Sequence, residues 1–203
     1  MVSPAIAQTF GVKAGASMTT LTYKDEAYTV DYKFVPGFTI GGMVELPFTG
    51  GIRLESGLQI TSKGATSMED GSFADLKETI RLYYLEVPIT AKASFTIGNS
   101  TVYGLFGPYL GVGLSGKSTL RETINGDTNV YKDDITWGNA TANDYKRGDL
   151  GLVIGGGIMV NQFQIGLSYH TGLSNISAQK VNGRVVKNQV IGLSVGYWLQ
   201  PNE

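Results

Sequence analysis

Eight stretches of this chain alternate apolar residues with polar residues or glycine, and in each of them one of the two alternating sets carries no charge. The uncharged sets run from Phe10 to Met18, Phe34 to Leu46, Ile52 to Ile60, Tyr83 to Phe95, Val102 to Leu114, Leu150 to Val160, Phe163 to Tyr169 and Ile191 to Leu199. The opposite sets hold Lys13, Glu45, Arg53, Glu55, Lys63, Glu86, Lys92 and Asp149. A period of two puts such sets on opposite faces of a sheet. A water-soluble barrel would turn the apolar face inward around a very large core, whereas a membrane barrel turns it outward to lipid and keeps its ions in a polar interior. The pattern predicts the second: an all-β, eight-stranded antiparallel up-and-down transmembrane β-barrel.

Bulk composition agrees. Mean hydropathy is near zero, as expected when two alternating faces cancel, and no apolar run approaches the ~20 residues of a spanning helix. Glycine accounts for 28 of 203 residues, about twice the usual ~7%. Many glycines fall on the ion-bearing face, where a narrow bore needs small residues beside bulky ones. Gly155-Gly156-Gly157 precedes no helical pattern, so it is not a phosphate loop. The absence of cysteine excludes disulfides and thiolate chemistry. With 16 basic and 17 acidic residues and no basic run, nucleic acid is not an expected partner. No cofactor or metal motif is present. Ala5-Ile6-Ala7 ahead of Gln8 has the small-x-small form of a signal-peptidase site. Residues 1–7 are therefore expected to be the remnant of a signal peptide, and residues 8–203 a single barrel domain.

Connections alternate in length. Thr22 to Lys33, Gly64 to Ile80, Gly116 to Lys146 and Ser174 to Asn188 are long, while Pro47 to Gly50, Thr96 to Ser100 and Asn161-Gln162 are short. Outer-membrane barrels of Gram-negative bacteria have short periplasmic turns and long external loops, which predicts periplasmic termini. Phe10, Phe95, Phe163 and Tyr197 fall at the turn rim and Phe34, Tyr83 and Tyr169 at the other, as interfacial girdles would. An eight-stranded bore is just filled by side chains, so the eight inward ions should form an ionic plug rather than line a pore.

Several motifs carry a family resemblance: Phe10-Gly11-Val12-Lys13-Ala14-Gly15, Pro36 to Gly42 with Glu45-Leu46-Pro47, Tyr84-Leu85-Glu86-Val87-Pro88, Gly107-Pro108-Tyr109-Leu110-Gly111, Asp149-Leu150-Gly151, and Tyr169 to Ile176. Together they resemble the small outer-membrane β-barrel family of Bacteroidetes-type bacteria, also called PorT-like. The resemblance implies fold and location more than activity. The chain departs from many outer-membrane barrels in continuing past Tyr197-Trp198 to Glu203 instead of ending on an aromatic residue.

Two sites compete with a purely structural reading. Ser168 and His170, the only histidine, share the inward face of the seventh strand. With an acid such as Glu55 or Glu86 they would form the nucleophile, base and orienter of a lipid hydrolase, although no oxyanion donor is evident. Tyr131, Trp137 and Tyr145 lie among Asn, Thr and Asp in the longest connection. They either contact a surface glycan or protein partner or fold that loop onto itself. Asp127, Asp133, Asp134 and Asp144 match no calcium-loop spacing. The expectation is thus a non-enzymatic, monomeric barrel amid outer-membrane lipid and lipopolysaccharide, presenting its loops for surface contact or envelope structure. A lipid-modifying hydrolase and a lipocalin-like carrier are the alternatives.

Overall fold

Strand alternation sets the architecture. The computed structural model describes residues 8–24, 32–71, 74–124, 126–179 and 183–199. Its strands are β1 (Thr9–Lys24), β2 (Val35–Thr49), β3 (Ile52–Asp70), β4 (Ala74–Ile97), β5 (Ser100–Ile124), β6 (Asp127–Asp134), β7 (Gly148–Val160), β8 (Phe163–Gly172) and β9 (Val185–Trp198). All pairings between them are antiparallel. Following the ladders from β1 through β2, β3, β4, β5, β7 and β8 to β9 returns to β1, so eight strands close a ring. Residues 1–7, the expected signal remnant, lie outside the described residues.

Registers put the uncharged sets on the outer surface. Phe10, Val12, Ile40, Phe106, Ile154, Leu167 and Leu193 are exposed there, whereas Glu45, Glu55, Lys63, Glu86, Lys92 and Asp149 are buried in the bore. This is the reverse of a lipocalin. The tight turns are where the chain composition places them: Gly50-Gly51 and Asn161 adopt positive φ, the backbone that right-twisted two-residue hairpins require. Phe163 and Tyr197 meet across strands at 5.2 Å between ring centroids, and Phe38 and Tyr83 at 6.3 Å on the other rim.

Two expected long loops are largely strand. β3 and β4 stay paired from Ala65↔Ile80 out to Asp70↔Asp75, within the segment expected to be a loop. β5 likewise continues to Ile124 and is joined there by β6, which pairs with it from Lys117↔Asp134 to Ile124↔Asp127. A spanning strand needs only about 9–11 residues, so the 24 residues of β4 and 25 of β5 rise well beyond the lipid. The cause is local. These segments are rich in threonine and alternate, and cross-strand threonine pairs such as Thr66–Thr79 and Thr123–Thr128 tie them together at 3.0 and 3.1 Å.

Glycine on the inner face serves close approach. A Cβ on Gly107 would collide with the Ile89 carbonyl oxygen, whereas one on Gly42, which faces lipid, would meet nothing nearer than 3.9 Å. Gly107→Ala should therefore cost about 1–3 kcal/mol and Gly42→Ala less than about 0.5 kcal/mol. Urea unfolding of the barrel in lipid vesicles measures both.

Candidate functional site

The bore holds two ionic networks at different depths. Nearer the short turns, Lys92 Nζ lies 2.7 Å from Glu45 Oε2 and 3.0 Å from Glu55 Oε2, and donates to Gln164 Oε1 at 2.7 Å. Arg53 Nε pairs with Glu45 Oε1. Trp198 Nε1 donates to Gln164 at 3.1 Å, and the Lys92 ammonium sits over the rings of Tyr103 and Trp198, 4.7 and 5.1 Å from their centroids. Two cations thus face two carboxylates in a layer closed by aromatic rings.

Deeper toward the long connections, Lys63 Nζ lies 2.7 Å from Glu86 Oε2 and 2.9 Å from Asp149 Oδ2, with no exposed side-chain surface on either Lys63 or Glu86. Asp149 Oδ2 accepts from Asn188 Nδ2 at 2.8 Å and from the Tyr109 hydroxyl at 3.3 Å; Glu86 Oε1 accepts from Gln59 Nε2 at 2.8 Å. The ring of Tyr109 lies 4.2 Å beneath the Lys63 ammonium. The Tyr84 to Pro88 and Gly107 to Gly111 motifs are neighbours here, since Glu86 pairs with Gly111 and Pro88 with Tyr109 across β4 and β5. Together they supply an acid, a glycine gap and a ring to trap one lysine.

His170 joins this network. Its Nδ1 is 3.5 Å from Glu86 Oε1, and its Nε2 is 3.2 Å from Ser168 Oγ. In the tautomer that carries hydrogen on Nδ1, Ser168 donates to Nε2 while Nδ1 faces the carboxylate. The rotamers therefore do bring the serine and histidine to hydrogen-bond distance, and Glu86 rather than Glu55 is the acid they meet.

Lys13 departs from the expected network. It is half-buried and makes no ion pair or hydrogen bond among the described residues, because its cross-strand neighbours are Gly41 and Gly196, which have no side chains to offer. It faces two cavities of about 40 and 30 Å³ beside Ser168 and His170. Each is on the scale of a single water, whose share of liquid volume is about 30 Å³. The neutral partners Gln59, Gln164, Tyr109, Asn188 and Trp198 went unread in the sequence; only their position on the inward period marks them.

Beyond the lipid the interior changes character. Leu21, Ala65, Ile80, Leu82, Tyr84, Ile176 and Val186 form an apolar core, against which Trp137 and Ile135 pack. Trp137 and Tyr145 are thus not free surface aromatics: the loop between β6 and β7 folds back into the mouth, its Trp137 ring lying where a Cβ of Gly113 would be. Apolar burial drives that folding, because outside the membrane an apolar patch facing water is unfavourable. Tyr131 alone of the three stays exposed on the strand hairpin. Asp144 holds the returning loop by accepting from the Thr136 amide and hydroxyl, both at 2.8 Å. Burial raises the Tyr145 hydroxyl well above its ordinary pKa and, with nearby Glu78, pushes Tyr32 up to about 12.

Removing one partner of a buried ion pair leaves the other charge stranded. Lys92→Met should lower unfolding stability by about 3–5 kcal/mol, and Lys13→Met by less than about 1 kcal/mol, in urea titrations of the vesicle-inserted protein.

Among curated proteins, none matches this sequence. Solved structures similar to it include Ail, the attachment invasion locus protein of Yersinia pestis, with 16% identity over 94% of this chain and 98% of that one at a TM-score of 0.38. Neisserial surface protein A is similar at 15% identity over 93% and 96%, with a TM-score of 0.40. OprG from Pseudomonas aeruginosa is similar at 14% identity over 96% and 97%, with a TM-score of 0.38. Likeness at this level bears on no activity. The family rests instead on the family model described as Outer membrane protein beta-barrel domain, which matches residues 6–178. With that match and a closed ring of eight strands, the chain belongs to the outer membrane protein beta-barrel domain family and is an outer-membrane β-barrel.

Proposed function

We propose that this protein is a sealed, non-catalytic outer-membrane anchor that displays a folded head to the cell exterior for contact with a surface glycan or protein. The observation that carries the reading is the filling of the bore: two ionic networks leave cavities of only about 40 and 30 Å³ between them. A hydrated ion would have to break a buried pair to pass. The orientation follows from the build of the two ends. The described termini and the tight turns share one rim, which is the periplasmic one in barrels of this type, and the paired extensions of β3, β4, β5 and β6 rise from the other. Finer placement in the PorT-like, Bacteroidetes-type branch is supported by the paired Tyr84 to Pro88 and Gly107 to Gly111 motifs. Purified protein in planar bilayers should show no steady conductance; a reproducible open channel from the unaltered chain would overturn the reading.

A second reading has one specific observation in its favour, the Ser168, His170 and Glu86 relay at 3.2 and 3.5 Å. It has the order of a serine hydrolase triad. Yet the two bore cavities that Ser168 lines, of about 40 and 30 Å³, are smaller than an acyl chain needs, and Glu86 is already committed to Lys63 and Gln59. Ser168→Ala should leave fluorogenic ester hydrolysis by the detergent-solubilised barrel at background. A loss of about 100-fold or more on that substitution would instead establish the hydrolase.

A further inference from the structure

The head forms a half-open cavity of about 350 Å³, far larger than those in the bore and within the size range of small-molecule sites. Its wall carries the carboxylates of Glu78, Asp133, Asp134 and Asp144 against a single guanidinium, Arg184. Asp134 is met by Lys117 only at 3.9 Å across exposed surface, a screened contact. The wall is therefore strongly acidic.

The aromatic lining is a second and separate observation. Tyr145 exposes 9% of its surface, lines this cavity, and its hydroxyl makes no hydrogen bond among the described residues. Tyr32, from the segment before β2, also lines the cavity with an unbonded hydroxyl, its ring 6.0 Å from that of Tyr23. Hydroxyls that face the cavity without a protein partner are left to be satisfied by what the cavity holds. Tyrosine faces beside carboxylates also attract ammonium groups.

We propose that this cavity binds a small organic polyamine, its ammonium groups received by Glu78, Asp133 and Asp144 and its chain lying against Tyr32 and Tyr145. A metal ion is the poorer fit. No group of three or more acidic or histidine side chains among the described residues is close enough to ligate one, and a roomy cavity with dispersed carboxylates matches charges spread along a chain. The proposal goes beyond the sealed-anchor reading, since a small polycation is a ligand of the head distinct from a glycan or protein contact.

Calorimetric titration of the folded, detergent-solubilised barrel with spermidine tests it, with triethylene glycol as a neutral molecule of similar length. Saturable one-to-one binding of spermidine is expected, with none for the glycol. Glu78→Gln should raise the dissociation constant about tenfold, the loss of one charge-assisted hydrogen bond, and Tyr145→Phe should weaken binding while keeping the ring. Asp127→Asn, exposed on β6 away from the cavity, should leave it unchanged. Absence of spermidine binding, or equal weakening by Glu78→Gln and Asp127→Asn, would overturn the site. Either result leaves the sealed-anchor reading standing if bilayers stay silent, so the two fail separately.

Discussion

Everything in this barrel follows from the cost of a charge without a partner inside a narrow bore. Lys63 and Lys92 are each fully buried, and each is met by two carboxylates, a neutral amide or hydroxyl network, and aromatic rings. Such a layer is stable only if every member is satisfied. It therefore demands a register in which β2, β3, β4, β7, β8 and β9 bring Glu45, Glu55, Glu86, Asp149, Gln164 and Asn188 to two levels. The closed ring exists to hold that register as much as to remove strand edges from lipid.

The same chain solves burial in two opposite ways along its length. Inside the membrane the outer face is apolar and the bore polar; past the lipid the strand extensions meet water outside, and the interior becomes the apolar core of Leu21, Ile80, Leu82, Tyr84 and Val186. Trp137 and Tyr145 close that core from above. On the sealed-anchor reading proposed above, the apolar mouth and the ionic bore would act as two barriers in series.

Much of this was legible in advance because the membrane imposes a strict rule on alternate residues. Phe10 to Met18 or Val102 to Leu114 cannot be read another way once a charge-free face of that length is seen. Lys13 was misjudged because inward direction is a local property and ion pairing is not: its neighbours are glycines, a fact of register. β5 and β6 pair where the sequence predicts a loop, although between them the sequence carries Asn125-Gly126, a standard hairpin dipeptide. Polar, threonine-rich strands outside lipid lack the charge-free face that betrayed the others.

By itself, then, the order of residues determined the eight strands, their inward and outward faces, the short turns and which ions turn inward, all of which depend on neighbours in the chain. Tertiary structure alone decided which ions meet: Lys92 with Glu45 and Glu55, and Lys63 with Glu86 and Asp149, partners up to 86 residues apart. It also decided that His170 reaches Glu86 and that the acidic side chains of the head line one half-open cavity. Such distances are set by ring closure and by the stagger of one strand against the next, and neither is encoded in any local stretch.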